Sequence, residues 1–138
     1  MRANDAEAAI AFYKQAFGAV EEFRLVEPGG RIGHAQLLFG SATIMISDEF
    51  PEFGIRALSP DSYGACLIHL HVDDADAAVS RAVAAGAHVT RPVVDEFYGE
   101  RGGTVRDPFG YDWMLGYQIE EVSPEEMQRR YGDLLSKS

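Results

Sequence analysis

The sequence has one cysteine, few basic residues and no long apolar run. Cys66 is alone among 138 residues, which excludes a disulfide within the chain and a cysteine-based zinc site. Twelve Lys and Arg residues against 22 Asp and Glu residues give a net charge of -10, which repels nucleic acid and anionic membranes. The N-terminus lacks an apolar signal region, and no stretch is long enough to span a bilayer. These absences predict a soluble cytoplasmic protein with no nucleic-acid or membrane partner.

What the sequence does contain is one structural plan used twice. Hydrophobic residues make up 46% of the chain, which is enough for a globular core. The segments DAEAAI, from Asp5, and DADAAV, from Asp74, begin apolar stripes at helical spacing, and Gly18 and Gly86 end them. Three extended runs follow each helix, and the strand LIHLHV precedes the second helix. The repeated unit is therefore βαβββ, and only MRAN is left for the first leading strand, which predicts a truncated strand or missing upstream residues.

The glycine-rich stretch GERGGTVRDPFGYDWML raises the question of a phosphate loop. Such a loop runs from a strand through glycines directly into a helix whose N-terminus holds the anion. This stretch instead enters a strand, turns at Asp107-Pro108-Phe109-Gly110 and leaves in another strand, with Pro and Gly at standard turn positions. The pattern predicts a hairpin.

Four sequence segments resemble those of a known family: DAEAAIAFYKQAFGA, GRIGHAQLLFG, FYGERGGTVRDPFGYDW and EVSPEEMQRR. With the duplicated plan, they resemble the vicinal oxygen chelate superfamily of glyoxalase I, extradiol dioxygenases and bleomycin resistance proteins, and more narrowly its PhnB-like branch. The resemblance implies an α+β fold whose two tandem βαβββ modules form a half-open, eight-stranded barrel around a ligand cup, often across a homodimer. We expect a single domain over residues 1–138, with module one at 1–62, module two at 63–122 and a C-terminal helix at 123–138.

Metal enzymes of this superfamily hold a divalent ion with His, Gln and Glu side chains that point into the cup. The first ligand position lies ahead of Asp5, where this chain has no matching residue. The second maps to Ile44 or Ile46, the third to Leu67 and the fourth to Met114. Aliphatic and thioether side chains do not bind Mg, Ni, Zn or Fe, so the resemblance implies a cup without the usual metal and without a predicted cofactor.

Two histidines on one strand are the strongest candidates for chemistry. In LIHLHV, side chains alternate, so Leu67, His69 and His71 share the face opposite to the one that meets the helices. One interpretation makes both histidines neutral polar groups of the cup. The other makes His69 and His71 ligands of a relocated divalent metal, or a general base that needs no metal.

Further candidates complete an expected ligand-binding cup. His34 and Gln36 share one strand face and match Thr104 and Arg106 in the repeat. With His69 and His71, the residues His34, Gln36 and Arg106 form a predicted polar cluster, on a wall of Ile44, Ile46, Leu67 and Met114. Tyr98 comes from a loop expected near the cup mouth. In the alternative interpretation, His34 and Arg106 are surface or salt-bridged residues, with Arg106 paired to Asp107 or Asp112.

Two functions follow from these residues. The first is a module that binds a small organic molecule, cationic or aromatic, in a cup without the usual metal. The second is a lyase, isomerase or dioxygenase that works through His69, His71 and His34, with a divalent metal or with histidine as general base. A homodimer is expected in both cases, and a structural dimer without a ligand is the third alternative. Fold-level analogy does not choose among them.

Overall fold

The computed structural model describes residues 1–62, 64 and 66–137, and its helices and strands repeat the same unit twice. The predicted start of module two, residue 63, and the final residue, 138, lie outside the described residues. The first unit comprises β1 (Arg2–Ala3), α1 (Ala6–Phe17), β2 (Val20–Val26), β3 (Ile32–Phe39) and β4 (Ala42–Asp48). The second comprises β5 (Leu67–His71), α2 (Ala75–Ala85), β6 (His88–Asp95), β7 (Glu100–Arg106) and β8 (Asp112–Gln118), and α3 (Pro124–Ser136) follows it. The predicted α+β fold of tandem βαβββ units with a C-terminal helix is confirmed.

The helices begin and end where the sequence predicts. The Asp5 carboxylate accepts the Ala8 backbone N–H at 3.0 Å, and the Asp74 carboxylate accepts the Ala77 N–H at 3.1 Å. Each aspartate thereby satisfies an amide that has no partner inside its helix. Gly18 ends α1 in the left-handed conformation, with φ 68°. No helix among the described residues is long and apolar enough to cross a membrane.

Each unit forms one four-stranded sheet. The strand orders are β1-β4-β3-β2 and β5-β8-β7-β6. Within each sheet the leading strand pairs in parallel with the last strand, and all other neighbours are antiparallel. The MRAN segment supplies a leading strand two residues long, with Arg2 opposite Ser47 and Ala3 opposite Asp48. In the described part of the chain the two sheets do not close on each other, as a half-open barrel requires.

Helices α1 and α2 pack against each other and cover one face of each sheet. Tyr13 of α1 joins both sheets to this core, because its ring lies 5.9 Å from the Phe39 ring and 5.4 Å from the Trp113 ring. Trp113 is fully buried, as its strand alternation predicts. The opposite face of each sheet is turned away from the helices, and we call it the open face. The expected cup places the candidate ligand-binding residues on this face.

A buried aspartate ties α1 to the second sheet. Asp107 is 2% exposed, and its Oδ2 accepts the Tyr13 hydroxyl at 2.5 Å and the Trp113 indole N–H at 2.9 Å. Its Oδ1 accepts the backbone N–H groups of Phe109 at 2.8 Å and Tyr111 at 3.0 Å. Burial, reinforced by the neighbouring Asp107, raises the pKa of the Tyr13 hydroxyl. The predicted turn at residues 107–110 is therefore confirmed and also anchors the core.

Candidate functional site

The candidates from the first sheet lie on its open face but form their own small group. His34 packs beside Phe23, with ring centroids 5.5 Å apart. The Gln36 amide donates a hydrogen bond of 2.6 Å to the Glu22 carboxylate. Phe23 pairs with Gln36 across the strands, so all three side chains share one face. These contacts occupy His34 and Gln36 within their own sheet.

The structure corrects the expected position of Ile44 and Ile46. Register pairs Ile44 with Leu37 and Ile46 with Ala35, and residues directly opposite in a sheet point to the same side. Leu37 and Ala35 face the helices, so both isoleucines do too: Ile46 is 1% exposed in the core, and Ile44 packs against the core. The side chains of the two isoleucines therefore point to the helices and away from the expected cup.

Three candidates of the second sheet do share its open face. Leu67 is exposed at the start of β5, and Met114 lies on the neighbouring strand directly opposite His69. The Tyr98 hydroxyl donates to the Met114 sulfur at 3.7 Å, which brings the loop before β7 against this face. Partial burial, together with the charges of Glu96 and Glu100, raises the pKa of Tyr98. The positions of Leu67 and Met114 agree with the arrangement expected from strand alternation.

Arg106 forms a fixed ion pair on the same sheet. Its guanidinium donates to both carboxylate oxygens of Asp112, at 2.9 and 3.0 Å, and to the Ser62 carbonyl at 2.9 Å. The alternative interpretation, in which Arg106 is salt-bridged, is therefore confirmed with Asp112 as the partner. Asp107, the other partner considered, instead accepts from Tyr13 and Trp113.

A groove of about 580 Å³ runs over this ion pair. Its lining combines apolar and polar groups: Cys66, Leu67, His88, Thr90, Arg91, Thr104, Arg106 and Asp112. A second depression, of about 650 Å³, lies over the first sheet beside His34 and Met45. Both are lined by Gly64 and Cys66, so the two open faces adjoin at the segment that links the modules.

His69 and His71 meet an acidic residue that the sequence analysis did not select. The Glu100 Oε1 lies 3.3 Å from the His69 Nε2 and 3.8 Å from the His71 Nε2. The two imidazole rings are 4.7 Å apart. Glu100 begins β7, and β8 runs between it and β5, so the residue stands two strands away from the histidines. A glycine in the intervening strand, Gly116, was the one available signal, because a strand glycine permits a close approach over its surface.

The predicted polar cluster is thus divided into three groups. His34 and Gln36 lie on the first sheet, Arg106 lies in the groove with Asp112, and the histidine pair lies with Glu100. The positions that the resemblance assigns to family metal ligands hold Leu67 and Met114, whose side chains offer neither oxygen nor nitrogen. A divalent ion held in the manner of the metal enzymes does not fit at those positions.

The chain is similar in sequence and fold to several known proteins. Mb0911c, an uncharacterized protein of Mycobacterium bovis, is 42% identical over 128 residues, which cover 91% of this chain and 84% of that protein. The X-ray structure of the Arabidopsis thaliana gene product At5g48480 is 29% identical, with a TM-score of 0.67 and coverage of 83% and 89% of the two chains. The crystal structure of TioX from Micromonospora sp. ML1 is 26% identical, with a TM-score of 0.67 and coverage of 86% and 94%.

A family model covers most of the chain as well. The model of the Glyoxalase/Bleomycin resistance protein/Dioxygenase superfamily matches residues 1–115, which include both sheets up to the middle of β8. The fold, the tandem βαβββ units and the solved structures agree with this match. The chain therefore belongs to the Glyoxalase/Bleomycin resistance protein/Dioxygenase superfamily, the vicinal oxygen chelate proteins.

Proposed function

We propose that this protein binds a small organic molecule in the groove on the open face of the second sheet. The observation that carries the proposal is the ion pair at the groove, where Asp112 and the Ser62 carbonyl hold Arg106 with its side chain only 20% exposed. Beside it lie the exposed Leu67 and the buried Thr104. An apolar surface with a few rigidly held polar groups is the usual composition of a small-molecule site.

The charges of the groove itself support one class of ligand. The groove contains two arginines, Arg91 and Arg106, and one carboxylate, that of Asp112, which pairs with Arg106. Among the described residues Arg91 makes no ion pair. At physiological salt, charges farther away than about 8 Å are largely screened, so these local groups outweigh the net charge of the chain. The proposed ligand has an aromatic or apolar body, which contacts Leu67, and a carboxylate or similar oxygen group, which Arg91 can bind.

Binding of aromatic carboxylates tests this proposal. We expect naphthoate or benzoate derivatives to bind more tightly than aromatic amines of the same size, as measured by calorimetry and by NMR shifts around the groove. Replacing Arg91 by glutamine removes a charge-assisted hydrogen bond and is expected to weaken carboxylate binding by about 10- to 100-fold.

Arg56→Gln is the matched control, because Arg56 is an exposed arginine that lines the other depression. It is expected to bind the carboxylates like the wild type. Equal losses in both variants, or preference for the amines, would contradict a groove ligand of this class. Preference for the amines would instead favour the cationic ligand that the acidic net charge suggests.

We also propose that a second copy of the chain completes the cup. Phe23, Leu25 and Met45 are exposed and apolar on the open face of the first sheet, where they pair with Gln36 and His34. Exposed apolar side chains grouped on one face and rimmed by polar residues are typical of an interaction surface. The two open faces adjoin at the linking segment. Within the described residues no strand of the first sheet contacts a strand of the second sheet. A second chain can therefore cover the open faces of both sheets.

Sedimentation equilibrium tests the dimer. We expect twice the chain mass of 15.1 kDa, and a shift toward the monomer in Phe23→Asp, because a charge on this face opposes its burial. Val83→Asp introduces the same charge at an exposed valine of α2 and is expected to leave the mass unchanged. A monomeric wild type at micromolar concentration, or an unaltered Phe23→Asp dimer, would contradict this interface.

A lyase, isomerase or dioxygenase activity is the second candidate function. The observation that favours it is the convergence of His69 and His71 on Glu100, on the same sheet face as the groove. An imidazole next to a carboxylate can act as a general acid or base. The sequence phrases that match the PhnB-like branch also lead us to propose that branch within the superfamily.

A further inference from the structure

We propose that His69, His71 and Glu100 form a binding site for a divalent transition metal ion, at positions different from the ligand positions that the resemblance implies. Each residue offers one ligand atom, and these atoms all lie within 4.8 Å of one another. Two imidazoles and one carboxylate are a ligand set that suits Zn²⁺, Ni²⁺, Co²⁺ or Fe²⁺. Metal binding here needs no organic ligand, so it stands independently of the proposed groove function.

The distances are close to those of a coordinated ion. With metal–ligand bonds of about 2.0–2.2 Å, two ligands of a tetrahedral ion lie about 3.4 Å apart. The Glu100 Oε1 lies 3.3 Å from the His69 Nε2 and 3.8 Å from the His71 Nε2. The His71 side chain is 81% exposed, so a small rotation brings its nitrogen closer without a clash. The side chains thus need little rearrangement to bind an ion.

The sheet makes this convergence possible through a glycine. Gly116 on β8 lies opposite His71 on β5 and opposite Gly102 on β7. A Cβ atom at Gly116 would lie 3.8 Å from the His69 Nε2. A larger side chain would occupy the space through which the imidazole and Glu100 meet over the central strand. With hydrogen atoms at both glycines, side chains two strands apart come into contact.

The three side chains make more contacts with one another than a single ion pair requires, as expected for a metal-binding site. A simple salt bridge needs one imidazole, whereas here two Nε2 atoms converge on the same Glu100 oxygen. The Glu100 side chain is only 20% exposed, which limits its motion, while the histidines are open to solvent. Three protein ligands on an open surface leave coordination positions for water or an exogenous molecule, as in catalytic metal sites.

The site lies next to the groove on the same strand. Leu67 lines the groove, and His69 follows two residues later on the same face, about 6.6 Å along the strand. An ion at the histidines would therefore have its open positions within reach of a molecule of moderate size in the groove. Binding of the metal and binding of the ligand are separate measurements, so either can fail without the other.

Calorimetric titration of chelator-treated full-length protein with ZnCl₂ and CoCl₂ tests the site. We expect one ion per chain, and a cobalt absorption spectrum of a site with nitrogen and oxygen ligands. His69→Ala, His71→Ala and Glu100→Gln are each expected to weaken binding at least about tenfold, because each removes one ligand. The metal is also expected to raise Tm in the wild type and not in these variants.

His34→Ala and Glu96→Gln are the matched controls, since they remove a histidine and an acid outside the cluster and are expected to retain the wild-type affinity. All variants are compared after circular dichroism confirms that they are folded, which is expected because the histidines are exposed. Failure of the wild type to bind at one ion per chain would overturn the site. So would undiminished affinity in the His69→Ala, His71→Ala double variant, which would locate the ion elsewhere.

Discussion

Replacing Asp107 by alanine is expected to lower the free energy of unfolding by about 3–5 kcal/mol, because it removes a buried charged acceptor and leaves its donors unpaired. The Tyr13 hydroxyl, the Trp113 indole and the Phe109 and Tyr111 amides all donate to this carboxylate. No water replaces the acceptor easily, because Tyr13 and Trp113 are fully buried. For a chain of this size the loss corresponds to a decrease in Tm of roughly 10–17 °C.

Urea unfolding followed by Trp113 fluorescence measures the change. Tyr13→Phe is a graded control, because it removes one donor and keeps the carboxylate with its other three partners, so the expected loss is smaller. Asp133→Ala removes an exposed aspartate paired with Arg129 and is expected to change stability by less than about 1 kcal/mol. If Asp107→Ala were as stable as Asp133→Ala, the buried network would not stabilise the fold.

Gly110→Ala is expected to produce the second large loss of stability, about 2–4 kcal/mol. Gly110 has φ +94°, a conformation that costs a residue with a Cβ about 1–2 kcal/mol. A Cβ there would also lie 2.4 Å from the Ser59 carbonyl oxygen, which is a backbone atom and cannot rotate away. The turn and the linking segment would have to separate. Because Ser62 in that segment accepts from Arg106, the edge of the groove is expected to move as well.

Gly30→Ala separates the two contributions. Gly30 has φ +95°, and nothing lies within 4 Å of a Cβ built on it, so this variant has the same backbone strain without the collision. We expect it to lose only about 1–2 kcal/mol in urea unfolding. The difference between the two variants then measures the close approach of the turn to Ser59. Equal losses would show that the linking segment yields freely.

Much of the fold was predictable from local sequence patterns. Asp5 and Asp74 cap their helices, and Gly18 ends α1, because these contacts form within a few residues of chain. The turn at residues 107–110 follows from the conformational preferences of Pro and Gly. The repetition of the helices and strands in the same order then indicated the tandem units, and the resemblance supplied the barrel.

The face of the sheet to which each β4 side chain points was not predictable from local sequence patterns. A shift of one residue in register exchanges the two faces of a strand, and register depends on pairing with β3. Because Ile46 pairs with the buried Ala35, the Ile46 side chain points to the helices, whereas the Met45 side chain points to the open face. For β5 the prediction succeeded, because Ile68 and Leu70 alternate clearly with the two histidines and pack against the core.

The sequence by itself determined the tandem units, the helix caps and the alternation that puts His69 and His71 on one face, because each depends on neighbours along the chain. Only the tertiary structure decided which groups those residues meet. Helices α1 and α2 cover one face of each sheet, and on the open faces His34 and Arg106 lie in separate depressions. The strand order β5-β8-β7 brings Glu100 to the histidines over Gly116, and this contact depends on the pairing of three strands, which Gly116 alone does not predict.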